Sequence, residues 1–376
     1  MPIHGENKQA PAYTGLRRIP GGTGGIVHVG KHVGYDEACV QKTYPTHGRA
    51  DAIAYTEPRL LRELKHDHII EILDCQPDGE LREHATIVMP YCKHGDLKAL
   101  ITRGERLSLG QVIEWTRQIA SALDYLHTHK QYLHRDIKPG NILIGNNGQV
   151  LLCDFGTAAK TSPSGHTGPV RATEPYQPPE VAALGWMNAK SDVYCLGLTA
   201  IELLDGAFLY DGVDAADIQQ RVDTGRRAYT NDRLASGRRS PQTPPALRAL
   251  LARCVDQDPD RRPTADELER ALHRLTTIDW KHGSGSDLDG EWFGTWPPRA
   301  RIDKQIELRI TSSVGSRGKN AGKRVLTADY RKTATSGWRT VGSSTSPRVL
   351  DNVHDAAAVS AFFKTVADIV AKRFPP

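Results

Sequence analysis

Cysteine is sparse in this chain and never clustered. Cys39, Cys75, Cys92, Cys153, Cys195 and Cys254 stand singly along 376 residues, without the close spacing of a metal-binding knuckle or the density of a secreted disulfide scaffold. Reduced thiols in a cytosolic protein are the expectation. Long apolar runs are missing as well. The longest, around Val193 to Leu204, contains Glu202 and is too short to span a bilayer. The opening residues MPIHGENKQA show no basic end followed by an apolar stretch, so no secretory leader is expected there, and the expected compartment is the cytoplasm. No internal repeat is visible, which sets aside solenoids and propellers.

What remains is the composition of a chain that folds around a core, 39% hydrophobic and 25% charged. Its length suits one large and one small unit. The net charge of +5 is unevenly placed: from residue 281 onward there are 16 Lys and Arg against 9 Asp and Glu, so the tail is +7 and the body −2. Such asymmetry suits an acidic or nucleic-acid partner, and equally a solvated basic face.

The first ninety residues alternate Gly-rich turns with short β-branched runs, such as Gly25 to Val29 and Ala38 to Lys42, and add one helical stretch near Arg59 to Leu64. From Leu97 to about Leu275 the periodicity is helical, as in Gln111, Ile119, Leu123 and Leu126, broken by a loop-rich middle around residues 132–180. Residues 281–290, KHGSGSDLDG, read as a Gly/Ser linker. Beyond it lie strand-like pieces, Ile306 to Thr311 and Lys323 to Tyr330, and an amphipathic helix from about Val353 to Arg373.

The string HRDIKPGN, His134 to Asn141, is followed by DFG at Asp154 to Gly156. Alone, each residue is an ordinary loop acid or helix cap. Together, at this spacing, the chain resembles the eukaryotic-type (bacterial-like) serine/threonine protein kinases over about residues 13–278. The resemblance implies an α+β, two-lobed kinase fold within residues 13–280, with a β-rich N-lobe (13–89) and an α-helical C-lobe (93–280). It leaves residues 1–12 as a flexible N-terminus and 291–376 as a small basic α+β domain of unmatched family. The implied reaction is transfer of the ATP γ-phosphate to protein Ser/Thr hydroxyls, with Mg²⁺ or Mn²⁺. Asp136 would accept the proton of the incoming hydroxyl, Lys138 would balance charge on the γ-phosphate, and Asn141 and Asp154 would offer the metal hard oxygen ligands.

Toward the N-terminus, IPGGTGGIV from Ile19 to Val27 resembles the loop that covers the ATP phosphates. Gly22, Gly25 and Val27 match; Pro20 replaces the first glycine, and Gly24 the usual aromatic at the tip. A plain hairpin would read the same way. Lys42, near Val40 in the following strand, resembles the lysine that holds the α- and β-phosphates. Its expected partner is Glu57, with Glu63 the runner-up, and Pro58 requires the helix to start near Thr56. Met89 resembles the gatekeeper. Pro90 keeps its carbonyl and Cys92 its N–H for the adenine edge.

Downstream, TEPYQPPE from Thr173 to Glu180 resembles the end of an activation segment, and Arg262 in DPDRRPT the arginine that pairs with Glu180. Between them, Ser191, Asp192 and Val193 resemble the start of the helix that anchors the catalytic loop. Autophosphorylation is expected at Thr167, then Ser164, in a segment mobile before modification, with Arg135 receiving the phosphate. Trp292, Trp296 and Trp338 among Arg and Lys could form a nucleic-acid surface, but buried tryptophans in a small core are the preferred reading. The alternatives to a kinase are a nucleotide-binding pseudokinase and a nucleic-acid-associated regulator acting through the basic domain. No membrane partner is expected.

Overall fold

The structure, a computed structural model, describes residues 13–19, 25–34, 36–45, 55–78, 84–169, 174–230, 234, 240–275, 277–286, 288–297, 305–342 and 345–375. Its chain divides into two compact units, 1–95 with 143–158, and 96–142 with 159–376.

The first unit is built on an antiparallel sheet with strand order β1-β2-β3-β5-β4: β1 (Tyr13–Ile19), β2 (Ile26–His32), β3 (Ala38–Pro45), β4 (Asp74–Asp78) and β5 (His84–Pro90). Gly25 leads into β2 because no side chain fits there; a Cβ would lie 2.7 Å from the Thr43 carbonyl oxygen. Among the described residues one helix, α1 (Thr56–Glu63), accompanies the sheet. Pro58 falls in its first turn, where the missing N–H has no intrahelical partner to lose. Leu60, Leu61 and Leu64 are buried, and Tyr44, Ala85 and Ile87 form a core with Tyr55, Ile72 and Met89.

Strand β6 (Tyr132–Leu133) pairs with β9 (Ala159–Lys160) in the second unit, and the strands β7 (Ile142–Ile144) and β8 (Val150–Leu152) pair with each other. Sequence assigned this stretch to the helical lobe, yet residues 143–158 belong with the sheet. The cause is a parallel bridge between Ile69 and Leu152, in which the Ile70 N–H donates to the Leu152 carbonyl and the Leu152 N–H to that of His68, both at 2.9 Å.

The second unit carries α2 (Leu97–Thr102), α3 (Leu109–Asp124), α4 (Pro179–Leu184), α5 (Ala189–Asp205), α6 (Ala215–Asp223), α7 (Pro245–Cys254) and α8 (Ala265–Arg274). Helix α5 is the apolar run noted in the sequence, and Ser191 to Asp205 are buried throughout, as expected of a helix apolar on every side. An Asn188/Ser191 capping box starts it, and Gly206 at φ +60° stops it. The β-rich and helical units expected from sequence are both present. No helix among the described residues is long and apolar enough to cross a membrane.

The tail belongs to this second unit. Strands β10 (Asp279–Gly285), β11 (Gly290–Trp296), β12 (Ile306–Val314), β13 (Arg324–Arg331) and β14 (Arg339–Thr340) form an antiparallel sheet, β15 (Arg348–Leu350) also pairs with β13, and α9 is Ala356–Arg373. The stretch expected to be a linker is therefore largely strand: residues 281–285 belong to β10 and Gly290 begins β11, with Lys281 opposite Phe293 and Gly285 opposite Gly290. The glycines there serve close approach and a turn. A Cβ on Gly283 would sit 2.7 Å from the Phe293 ring, and Gly285 and Gly290 have φ of +97° and +147°. The tail also meets the helices: Asp279 Oδ1 accepts the Gly110 N–H at 2.6 Å, and Arg248 donates to Ser360 Oγ at 3.0 Å. Trp280, Trp292 and Trp296 are buried, and Trp280 and Trp292 each meet Phe363 of α9 edge to face.

Candidate active site

In the first unit, strand register places the apolar candidates and Lys42 on one face. Ile19 is opposite Val27, Val27 opposite Lys42, and Val40, two residues before Lys42, opposite Met89. Lys42 Nζ lies 2.7 Å from Asp154 Oδ1 and 3.3 Å and 3.4 Å from the Glu57 carboxylate oxygens. Glu63 is not the partner. Glu57 Oε1 also accepts the Phe155 N–H at 3.2 Å, so one carboxylate links strand, helix and the DFG turn. Burial alone would pull Lys42 down, but Glu57 and Asp154 outweigh it and hold the ammonium above its usual value. Burial lifts the Glu57 carboxyl against the pull of Lys42.

Asp154 has φ +62°, a conformation that costs an ordinary residue about 1–3 kcal/mol and concentrates at functional sites. The buried Phe155 ring follows it. Asp154 Oδ2 takes no hydrogen bond among the described residues, so a hard carboxylate oxygen is available for a cation. Beyond β5 the Cys92 N–H donates no backbone hydrogen bond among the described residues. Gly22 and Gly24, and Thr173 further on, lie outside the described residues.

In the second unit, Asp136 Oδ2 accepts from Lys138 Nζ at 2.7 Å and from Asn141 Nδ2 at 2.8 Å. The same Asn141 nitrogen donates to the Asp136 carbonyl, also at 2.8 Å. Both amide protons are thereby committed, and Asn141 Oδ1 takes no hydrogen bond among the described residues, which again suits a metal that prefers oxygen. The loop is held from below by Asp192 in the first turn of α5, whose carboxylate accepts the His134 N–H (2.9 Å), the Arg135 N–H (2.8 Å) and contacts His127 Nε2 (2.8 Å). Burial opposes ionisation of Asp192, but the His127 bond, the charges of His127 and His134, and the Arg135 N–H together keep its carboxyl below the ordinary range. Arg135 itself has φ +68°.

Glu180 and Arg262 meet as expected, in a bidentate pair at 2.7 Å and 2.8 Å with both side chains buried. Thr167 differs from expectation. Its backbone pairs with Met187, its side chain is buried, and its hydroxyl has no partner among the described residues. Ser164 is exposed, near Ser162 Oγ (2.8 Å) and His166 Nδ1 (3.3 Å), while Arg135 donates to the Gly168 carbonyl at 3.3 Å. The segment expected to be mobile is thus hydrogen-bonded over its described residues, because Met187, twenty residues along, supplies a strand-like partner.

The profile described as "Protein kinase domain" matches residues 13–272. The chain belongs to the protein kinase family. Over 287 residues this kinase is 33% identical to the serine/threonine-protein kinase PrkC of Bacillus subtilis, an alignment covering 75% of this chain and 41% of the relative. It is 32% identical over 169 residues to mitogen-activated protein kinase kinase kinase 18 of Arabidopsis thaliana (43% and 49%), and 30% over 203 residues to mitogen-activated protein kinase kinase kinase 13-A of Xenopus laevis (54% and 20%). The kinase thus spans half or less of the length of each of these relatives.

Sequence reading did not foresee the double donation from Asn141 to Asp136, the His127 contact of Asp192, or the Tyr176 hydroxyl bonding Glu202 at 2.8 Å. Only Glu202 left a trace, as the one charge inside an apolar run.

Proposed function

We propose that this chain is a serine/threonine protein kinase that moves the γ-phosphoryl group of ATP to protein hydroxyls. The observation that carries the reading is the geometry of Asp136: one carboxylate oxygen held by both Lys138 and Asn141, on a loop whose backbone N–H groups are anchored by a buried aspartate. Such a carboxylate is oriented before substrate arrives, which is the arrangement a positioning base requires. As the hydroxyl oxygen bonds to phosphorus, its proton passes to Asp136, the bond from phosphorus to the leaving ADP oxygen breaks, and Lys138 supplies positive charge near the transferred group.

Lys42, held by Glu57, would steady the α- and β-phosphates. The apolar face carrying Ile19, Val27, Val40 and Met89 would take the adenine ring, with the Pro90 carbonyl and Cys92 N–H on its edge and the glycines at 22, 24 and 25 nearer the phosphates. Asn141 and Asp154 would hold Mg²⁺ or Mn²⁺, which when bound neutralises phosphate charge. Autophosphorylation fits best at Ser164 in the described conformation, and at Thr167 only after its pairing with Met187 opens. The cytoplasm suits the unpaired thiols. The test is a radiolabelled ATP assay of the wild type beside Asp136→Asn, with mass spectrometry of phosphosites. A loss of about 10²- to 10⁴-fold is expected for the variant. Equal incorporation in both proteins refutes the role, and nucleotide binding without incorporation in either would make the chain a pseudokinase.

A further inference from the structure

The tail sheet has a basic end that the kinase reaction does not use. Strand β13 finishes there with Tyr330 and Arg331 before Lys332, Arg339 of β14 lies opposite Tyr330, and the last turn of α9 lays Arg373 over the Tyr330 ring at 4.9 Å. Phe374 approaches the same ring at 5.3 Å and its carbonyl accepts from Trp296 Nε1 at 2.6 Å, fixing the helix end to the sheet. Beside them Arg309 and Arg331 each stack on Trp338 at 4.7 Å. Those two arginines are matched by Asp329 and Glu307. Lys332, Arg339, Lys372 and Arg373 are not: all four are exposed, and none lies within ion-pair distance of a carboxylate among the described residues.

We propose that this end of the tail binds single-stranded nucleic acid, with the four unmatched cations on phosphates and the partly exposed Trp338 and Phe374 as stacking surfaces. The chemistry combines unneutralised positive charge with adjacent aromatic rings, as single-strand binding requires. A tail of +7 on a body of −2 concentrates the positive charge of the chain in this part of the sequence. An anionic membrane fits less well, because among the exposed large apolar side chains described in the tail Val314 and Val349 lie at the other end of β13, and Phe293, opposite Arg309, is left as a single apolar side chain beside this end. The inference is independent of phosphotransfer.

The test uses the full chain and a fluorescein-labelled single strand of about 20 nucleotides, longer than the ~4–16 nucleotide footprints of small single-strand modules. Anisotropy titrations across a salt series should give a plot of log K against log salt with slope near −3, from about −0.7 per phosphate neutralised on four cations. Arg339→Ala with Arg373→Ala should flatten that slope by about 1.4 and weaken binding, while the melting curve stays close to wild type. Arg317→Ala with Lys319→Ala, at the opposite end of the β12–β13 hairpin, should leave it unchanged. No binding at low salt, an equal loss in the two double variants, or equal binding of polyglutamate or phosphatidylserine vesicles each overturns the proposal. Should Arg339→Ala with Arg373→Ala unfold the chain, Lys332→Gln with Lys372→Gln provides the same reading at exposed positions without aromatic contacts, and an unchanged slope there is equally fatal.

Discussion

Arg262→Met should destabilise the second unit strongly, and the reason lies in what the guanidinium leaves behind. Arg262 binds Glu180 through two parallel bonds, and it also donates to the carbonyls of Asp256 (2.9 Å), Lys190 (3.2 Å) and Gln257 (3.4 Å) while lying over the Tyr194 ring at 4.7 Å. Both partners are buried, with side chains 0% and 1% exposed, so water cannot replace the lost donor. Methionine fills much of the volume but leaves the Glu180 carboxylate with only the Ser191 hydroxyl, at 2.7 Å, among the described residues. Removing one member of a buried pair costs about 3–5 kcal/mol, roughly a fifth or more of the ~5–15 kcal/mol that keeps a typical domain folded.

Urea unfolding followed by tryptophan emission, with calorimetry as a second readout, measures the effect. At about 2–4 °C per kcal/mol for a unit of this size, melting should fall by roughly 6–20 °C. The charge argument is separable from simple loss of packing through Glu180→Leu in the Arg262→Met background. If the penalty is an uncompensated buried charge, removing that charge should restore part of the loss, so the double variant is more stable than the sum of the single effects. A loss below about 1 kcal/mol in Arg262→Met, or strict additivity in the cycle, refutes the reasoning.

Glu57→Gln should lower kcat by weakening the hold on Lys42, whereas Glu63→Gln should leave steady-state kinetics unchanged; equal effects of the two would remove Glu57 from its assigned place. Burial pushes the Glu202 carboxyl up to about 8, so the folded chain keeps a proton that the unfolded chain releases near 4.5. Its contribution is therefore complete below about 4.5 and lost as pH rises through 8, and Glu202→Gln should gain stability on wild type between pH 5 and pH 8.5; a constant difference in urea midpoints contradicts this. Cutting the chain after residue 280 strips Trp280 of Phe363 and Arg248 of Ser360, so the truncated protein should melt several degrees below the full chain, and equal melting would show the tail to be a separate domain after all.

The catalytic string was legible because its chemistry constrains consecutive residues: an acid, a lysine two positions later and an amide three beyond that can reach one another within a single loop. Asp136, Lys138 and Asn141 do meet, and Lys42 meets Glu57 across a strand and the helix start that Pro58 imposed. What escaped were contacts between partners far apart in the chain whose residue types are ordinary alone. Thr167 looks like any loop hydroxyl until Met187 pairs with its backbone and buries it, and residues 143–158 look like part of the helical lobe until Leu152 bridges to Ile69. The stretch at 281–290 failed for a different reason. Glycine relaxes a chain when nothing is nearby, but it also marks places where something is too near for a side chain. Phe293 lies over Gly283, and that ring belongs to a strand ten residues on. Composition is the same in both cases, so only the partner distinguishes them, and the alternation of apolar and polar residues in Ile306 to Thr311, which β12 turns into alternately buried and half-buried positions, was the available sign that a sheet existed for the glycines to join. That sheet, through Asp279 on Gly110 and Ser360 on Arg248, is an extension of the helical unit, which is why the basic end sits on a fixed support instead of a tethered module.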